Sequence, residues 1–302
     1  MVKTHDREFF FKYVTARIAC EVLTNLSVRW TSPLLFNDPF DTQLDFTPGV
    51  DAKVLADSLV PLIEAMGYSD DPLPDRMKPV LAMLIQMLRL LRRIMPVDNL
   101  LRDFPRRISE EGATRASRFI AEEGARWREA LRRMRLFCVS EIHDNLVMWS
   151  HYADCHRGVV LQLRCLPEKD TGLCAARPIG YKADIPVWGT TEQWVEHMVQ
   201  GTGIRGDDIF KMMAFTKSEH WRYEREWRCF ANNGDGSRKL CDLFDDYGLE
   251  PEEIFAVYLG CCMLPDDRTA ICRIVRERLP ETRLFQARRS RTKFALEFEP
   301  VE

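Results

Sequence analysis

The hydrophobic and polar positions of this chain change period along its length. From Asp51 to about Arg135 apolar residues recur at three- and four-residue intervals, the signature of amphipathic helices. The pattern breaks at Asp70-Asp-Pro-Leu-Pro74, Pro96 and Pro105, which leaves room for three to five helices. Its longest apolar run, Val80–Leu91, contains Gln86 and Arg89 and is too short to span a bilayer. Residues 5–26 read as one or two opening helices with Phe9, Phe10, Tyr13, Val14 and Ile18 as apolar positions. Shorter strings rich in β-branched and aromatic residues read as strands at Leu26–Trp30, Leu136–Ser140, Gly158–Leu163, Glu226–Ala231, Ile254–Leu259 and Phe294–Phe298. Tyr181 begins a further extended piece, and helical patterns return at Leu146–Ala153, at Trp188–Lys217 with a break at Gly201-Thr-Gly203, and at Asp266–Leu279.

Strands on both sides of a helical block predict an α+β fold. We expect one domain over 1–302 with a central mixed or antiparallel sheet and 51–135 as a helical insertion; a separately folding middle domain is the alternative. A length of 302 residues, 46% hydrophobic and 29% charged, is enough to bury a substantial core. The net charge of −3 hides an asymmetry: Arg76–Arg135 carries 15 Lys and Arg against 7 Asp and Glu, a local +8 that leaves −11 elsewhere. Such a basic block is ordinarily a solvated helix face, and its other reading is a surface for nucleic acid or an acidic partner. The ten cysteines are scattered through apolar strings without a CxxC pair, and the first residues lack the apolar core of a signal peptide. Reduced thiols in a cytoplasmic protein are expected, with no membrane association.

Candidate chemistry concentrates in Lys217–Arg228, where three carboxylates, four cations and three aromatics lie within twelve residues. If the segment is extended, Glu224, Glu226 and Arg228 share one face, and two carboxylates so placed can divide the work of charge stabilisation and proton transfer. The competing reading is an ion-pair lattice with Lys217, Arg222, Arg225 and Arg228. The turn formers of Phe36-Asn-Asp-Pro-Phe-Asp41 place Asn37 and Asp38 either in a structural loop or on the rim of a pocket. In Met148–Gly158, Trp149 and Tyr152 offer stacking surface and His151 and His156 offer hydrogen bonds. The His151, Asp154, His156 spacing is not that of a helical zinc site, so no metal is expected. P-loop, nucleophile-elbow and dinucleotide-fingerprint motifs are absent from the sequence.

Taken in order, these blocks resemble the bacterial domain-of-unknown-function family 2971, often seen near mobile or defence genes. The resemblance rests on Phe11-Lys-Tyr13, Phe36–Asp41, Phe137-Cys-Val-Ser140, Met148–Asp154 with His156 and Gly158, Lys217 with Trp221–Arg228, and Val257-Tyr-Leu-Gly260. Residues 51–135 contribute nothing to it. A more distant similarity is to ADP-ribosyltransferases, which carry an early Arg or His, a central Ser, Thr or Tyr element and a late Glu-x-Glu. Here Arg29, Trp149–Tyr152 and Glu224-x-Glu226 follow that order, although the central element is helix-like rather than a Ser-Thr-Ser strand. The similarity implies an enzyme that takes NAD as co-substrate, cleaves its nicotinamide–ribose bond and modifies a macromolecular or small acceptor, as a toxin or phage-defence effector. Under it Glu226 stabilises the ribosyl cation, Glu224 orients the acceptor, and Arg29, His151 or Arg228 holds the pyrophosphate. Trp149 or Tyr152 stacks on nicotinamide, with Asn37, Asp38, His156 and Lys217 also lining the site. The alternative is a non-catalytic binding module whose basic helices hold nucleic acid or a protein partner; a nuclease would need a metal cluster that the sequence does not assemble.

Overall fold

A computed structural model of the chain describes residues 3–43, 51–94, 104–200, 202–203, 206–232 and 242–301. The first element corrects the expectation of an opening helix. Phe9–Val14 is a strand, β1, and only Ala16–Asn25 is helical, α1, with the Thr15 side chain capping it by accepting from the Ile18 amide. A central strand is buried on both faces, so its continuous apolar run is indistinguishable from a helical one by period alone.

Among the described residues ten strands form one sheet. Its main path begins with β2 (Ser27–Thr31), β3 (Met134–Ser140) and β4 (Val159–Arg164). It continues with β9 (Phe244–Gly248), β10 (Ile254–Leu259), β11 (Arg283–Arg289) and β12 (Leu296–Pro300). The order is β12-β11-β10-β4-β1-β3-β2-β9. All its pairs are antiparallel except β10–β11, which are joined through the helix Pro265–Arg278. The far edge of β3 pairs with β8 (Glu226–Asn232) over seven residues, and β8 takes the two-residue strand β5 (Arg177–Pro178). A separate parallel pair joins β6 (Gly180–Lys182) to β7 (Thr216–Ser218).

One core joins Phe10, Leu161 and Val257 of the sheet to Ala19, Val22 and Leu23 of α1 and to Ile271 and Val275 of the Pro265–Arg278 helix. A smaller core collects Tyr13, Val160 and Tyr258 against Met148, Trp149 and Ala153 on and after the short helix Leu146–Tyr152. The chain entering β4 crosses the one leaving β10 at two glycines. Gly260 donates to the Gly158 carbonyl at 2.9 Å. A Cβ on Gly260 would lie 2.1 Å from the His156 carbonyl oxygen, and one on Gly158 2.2 Å from that of Val14, so neither position admits a side chain.

The chain divides into two compact units. The sheet belongs to the first, Met1–Thr42, Ala130–Asp184 and Phe215–Glu302. The second comprises Gln43–Glu129 and Ile185–Ala214, so the helices after Asp51 are joined there by Thr191–Gln200 and Gly206–Ala214. The helix Ala52–Tyr68 begins at Asp51, whose carboxylate accepts from the Lys53 and Val54 amides, and buries Leu55, Leu59 and Ile63. Arg89 of the helix Pro79–Ile94 donates to the Met66 carbonyl at 3.0 Å, supplying a partner that the last turn of the first helix lacks. No described helix is long and apolar enough to cross a membrane.

Candidate functional site

The sheet opens a cavity by dividing one edge of a strand between two partners. Along its near edge β3 meets β1 at Phe11 opposite Ser140 and β2 at Thr31 opposite Leu136. Between those contacts the two strands diverge, and the Lys12 ammonium donates to the Cys138 carbonyl at 2.8 Å. A cavity of about 400 Å³ occupies the gap. Its walls are Phe11, Lys12 and Tyr13 of β1, Arg29 and Thr31 of β2, and Leu136, Cys138, Val139 and Ser140 of β3, closed by Phe36, Asn37, Met148 and Tyr152. Asp41, Lys217, Glu224 and Glu226 form the polar floor.

Local structure explains why these floor residues meet. Residues 219–224 form a 3-10 turn, not a strand, and Arg225 takes a left-handed conformation (φ 45°) before β8 begins at Glu226. The expectation that Glu224 and Glu226 alternate along one strand is therefore corrected: the turn, not the pleat, aims Glu224 inward. The turn is pinned by Ser140 Oγ donating to the Glu224 carbonyl at 2.7 Å and by Asn145 Nδ2 donating to the Tyr223 carbonyl at 3.1 Å. Asn145 also caps the Leu146–Tyr152 helix, which carries Tyr152 to Glu224. Glu226 and Arg228 do share a face of β8, as strand alternation requires. Asp41 arrives through a turn in which Asp38 Oδ1 accepts from the Phe40 amide at 2.9 Å.

The floor is a buried network of charges. Lys217 Nζ lies 2.6 Å from Glu224, 2.9 Å from Glu226 and 3.4 Å from Asp41. Arg228 donates to Glu226 and Asp41, each at 2.6 Å, and to Thr42 Oγ1 at 3.0 Å. Tyr152 donates its hydroxyl to the other oxygen of Glu224 at 2.6 Å, and Tyr181 accepts from the Glu226 amide at 2.8 Å. With every group ionised, three carboxylates face two cations and the floor carries −1. Burying five charges is sustained only by pairing of this completeness.

The two glutamates differ in environment. Burial raises the carboxyl of Glu226, but Arg228 and Lys217 outweigh it and hold that group well below the ordinary carboxylate range. Burial also raises Glu224; here the opposing Lys217 does not fully compensate, and the group stays above its ordinary value. Lys217 is lowered by burial and raised by more through Glu226, Glu224 and Asp41, so it remains an ammonium. Burial, then the charge of Glu224, pushes the Tyr152 hydroxyl up, so it stays a proton donor to that carboxylate. The floor thus pairs a fixed anion with a carboxylate able to exchange a proton, a division that acid–base chemistry requires.

Of the residues singled out from sequence, Glu224, Glu226, Lys217, Tyr152, Asn37 and Arg29 line this cavity. Arg29 stands at its rim, engaged with Asp246 across β2 and β9 at 3.0 Å. Five others are corrected. Arg228 is wholly buried beneath the floor and serves the carboxylates, leaving it no route to a ligand pyrophosphate. Asp38 belongs to the turn that presents Asp41. Trp149 is fully buried, donating to the His143 carbonyl at 2.7 Å and packing on Tyr13, so it stacks on core rather than ligand. His151 is exposed beside Tyr223 at 3.4 Å, outside the cavity. His156 lies behind Trp149 and lines a different cavity. Asp41, Lys12 and Tyr13 also line the cavity without being expected there, although each lies in a block that carries the resemblance, Phe11–Tyr13 or Phe36–Asp41. Among the described residues no three His, Cys, Asp or Glu side chains are arranged to hold a metal ion.

No protein-family profile, curated protein or solved structure matches the chain.

Proposed function

We propose that this chain is an ADP-ribosyltransferase-like enzyme that takes NAD as co-substrate, cleaves its nicotinamide–ribose bond and passes the ADP-ribosyl group to a macromolecular or small acceptor. The observation that carries the reading is the convergence of Glu224, Glu226 and Tyr152 on the floor of an aromatic-walled cavity of about 400 Å³, a volume within the usual range for small-molecule sites. As the glycosidic C–N bond breaks, its electron pair leaves with neutral nicotinamide and positive charge develops on the ribosyl carbon. A floor carrying −1, with Glu226 fixed as an anion by Arg228 and Lys217, stabilises that charge without reorganising. The acceptor's lone pair then closes on the same carbon, and its proton passes to Glu224, whose raised affinity for protons suits a base. Phe11, Tyr13 and Phe36 supply apolar surface for nicotinamide, and of the lining cations Arg29, although paired with Asp246, is the one at the rim where a pyrophosphate would lie. An effector role, as a toxin or in phage defence, follows from the resemblance described above.

The completeness of the network favours a second reading, a binding module in which the five charges are scaffold and the basic helices hold nucleic acid or a protein. Incubation with NAD separates the two: the enzyme releases nicotinamide and the binding module does not. Glu224→Gln is expected to slow transfer to the acceptor sharply while leaving the fold intact, because the amide oxygen still accepts from Tyr152. Absence of release together with absence of an NAD-dependent thermal shift refutes the enzymatic reading.

A further inference from the structure

We propose that the hairpin between β11 and β12 binds single-stranded nucleic acid, at a site independent of the split-sheet cavity. The turn reads Arg288-Arg289-Ser290-Arg291-Thr292-Lys293-Phe294, four cations within six positions followed by an aromatic. Arg288 pairs with Glu299 on the neighbouring strand. Arg289, Arg291 and Lys293 make no ion pair with any described carboxylate, and all three are exposed. They line a second cavity, of about 560 Å³, whose wall contains no Asp or Glu.

The opposite side of that cavity suits a nucleotide as well. It is formed by His156 and the adjacent thiols of Cys261 and Cys262, whose sulfurs are 3.8 Å apart. Burial and the neighbouring thiol push Cys261 up to about 11, so that thiol brings no negative charge to the wall. Phe294 is 100% exposed at the tip of the turn, an arrangement that gains nothing for folding. Cations that track a phosphodiester backbone beside an aromatic that stacks on a base are the two components of sequence-tolerant single-strand recognition. A double helix would keep its bases from Phe294. An anionic membrane would ask for several apolar side chains at the tip, where this turn offers one aromatic above a polar cavity.

The test is fluorescence anisotropy with a labelled single-stranded dodecanucleotide, the duplex of the same length, and phosphatidylserine vesicles in a sedimentation assay. We expect the single strand to bind more tightly than the duplex, with log K falling against log salt at a slope near −2, from about 0.7 per neutralised phosphate for three cations. Arg289→Gln/Arg291→Gln/Lys293→Gln is expected to remove most of the binding and flatten that slope. Phe294→Ala is expected to weaken binding roughly tenfold at an unchanged slope, one lost base stack. Thermal unfolding midpoints of both variants should match the parent, since every substituted side chain is exposed. Binding that survives the triple substitution, a duplex bound as tightly as the single strand, a Phe294→Ala variant of unaltered affinity, or vesicle binding without oligonucleotide binding would each overturn the proposal.

Discussion

Replacing Arg228 by Met removes the cation that Glu226 and Asp41 share while keeping much of the side-chain volume. The guanidinium is wholly buried and lies 2.6 Å from each carboxylate. At an effective dielectric of about 20, each contact represents roughly 6 kcal/mol of gross attraction. Most of that offsets the desolvation of three charges, and removing one partner of such a network typically costs about 3–5 kcal/mol. The floor meanwhile goes from −1 to −2 with only Lys217 to answer it. We therefore expect a loss of about 3–5 kcal/mol at pH 7 in urea unfolding followed by tryptophan fluorescence. The loss should shrink as the pH falls toward 4, because the stranded carboxylates take up protons. Asp41→Asn/Glu226→Gln/Arg228→Met should be more stable than Arg228→Met alone, since no buried charge is left without a partner. A loss under 1 kcal/mol, or one independent of pH, would refute the account of the floor as a mutually dependent network.

Further outcomes follow from the same geometry. Glu226 has a depressed folded-state pKa, so it contributes stability that is present above its unfolded value, about 4.3, and is lost as the pH falls below that value; Glu226→Gln should flatten this acid limb of the stability–pH profile. Glu224 has a raised pKa, so if it is the base the rate of transfer to the acceptor should rise with pH through a midpoint above that of an ordinary glutamate, and Tyr152→Phe, which deletes its 2.6 Å bond, should displace that midpoint. Gly260→Ala should be strongly destabilising by thermal unfolding, because its Cβ meets the backbone oxygen of His156 at 2.1 Å, and backbone cannot yield as a side chain does. With a thiol-reactive dye, the exposed Cys155 and Cys262 should label in the native protein, while the buried Cys165, Cys174 and Cys229 should label only after unfolding.

The fold class and the segments that meet at the floor were legible in the sequence because charge is rarely buried in such density without purpose. What local pattern could not convey was pairing. Phe9–Val14 looks helical until β3 and β4 cover both its edges. Likewise β9 and β11, with exposed charged positions at Asp246, Arg283 and Arg288, carry too little apolar alternation to read as strands. In the site, residue type identified Glu224 and Glu226, but depth separated Trp149 from Tyr152: three positions apart on one short helix, they face the core and the cavity respectively. Asp41 was hidden by the turn chemistry of its own block, in which Asn37 and Asp38 were the more conspicuous loop residues.

The division of one edge of β3 between two partners has a dynamic consequence. Its other edge forms an unbroken seven-residue ladder with β8, so opening the gap between β1 and β2 need not disturb the pairing that positions Glu226 and Arg228. Backbone groups of β3 directed toward β8 belong to the cooperative unit of the fold, whereas those directed into the gap between Leu136 and Ser140 lack a ladder partner and are free to exchange protons with solvent. A single strand is thus rigid on one side and permissive on the other. The gap can widen while the charged floor stays in register.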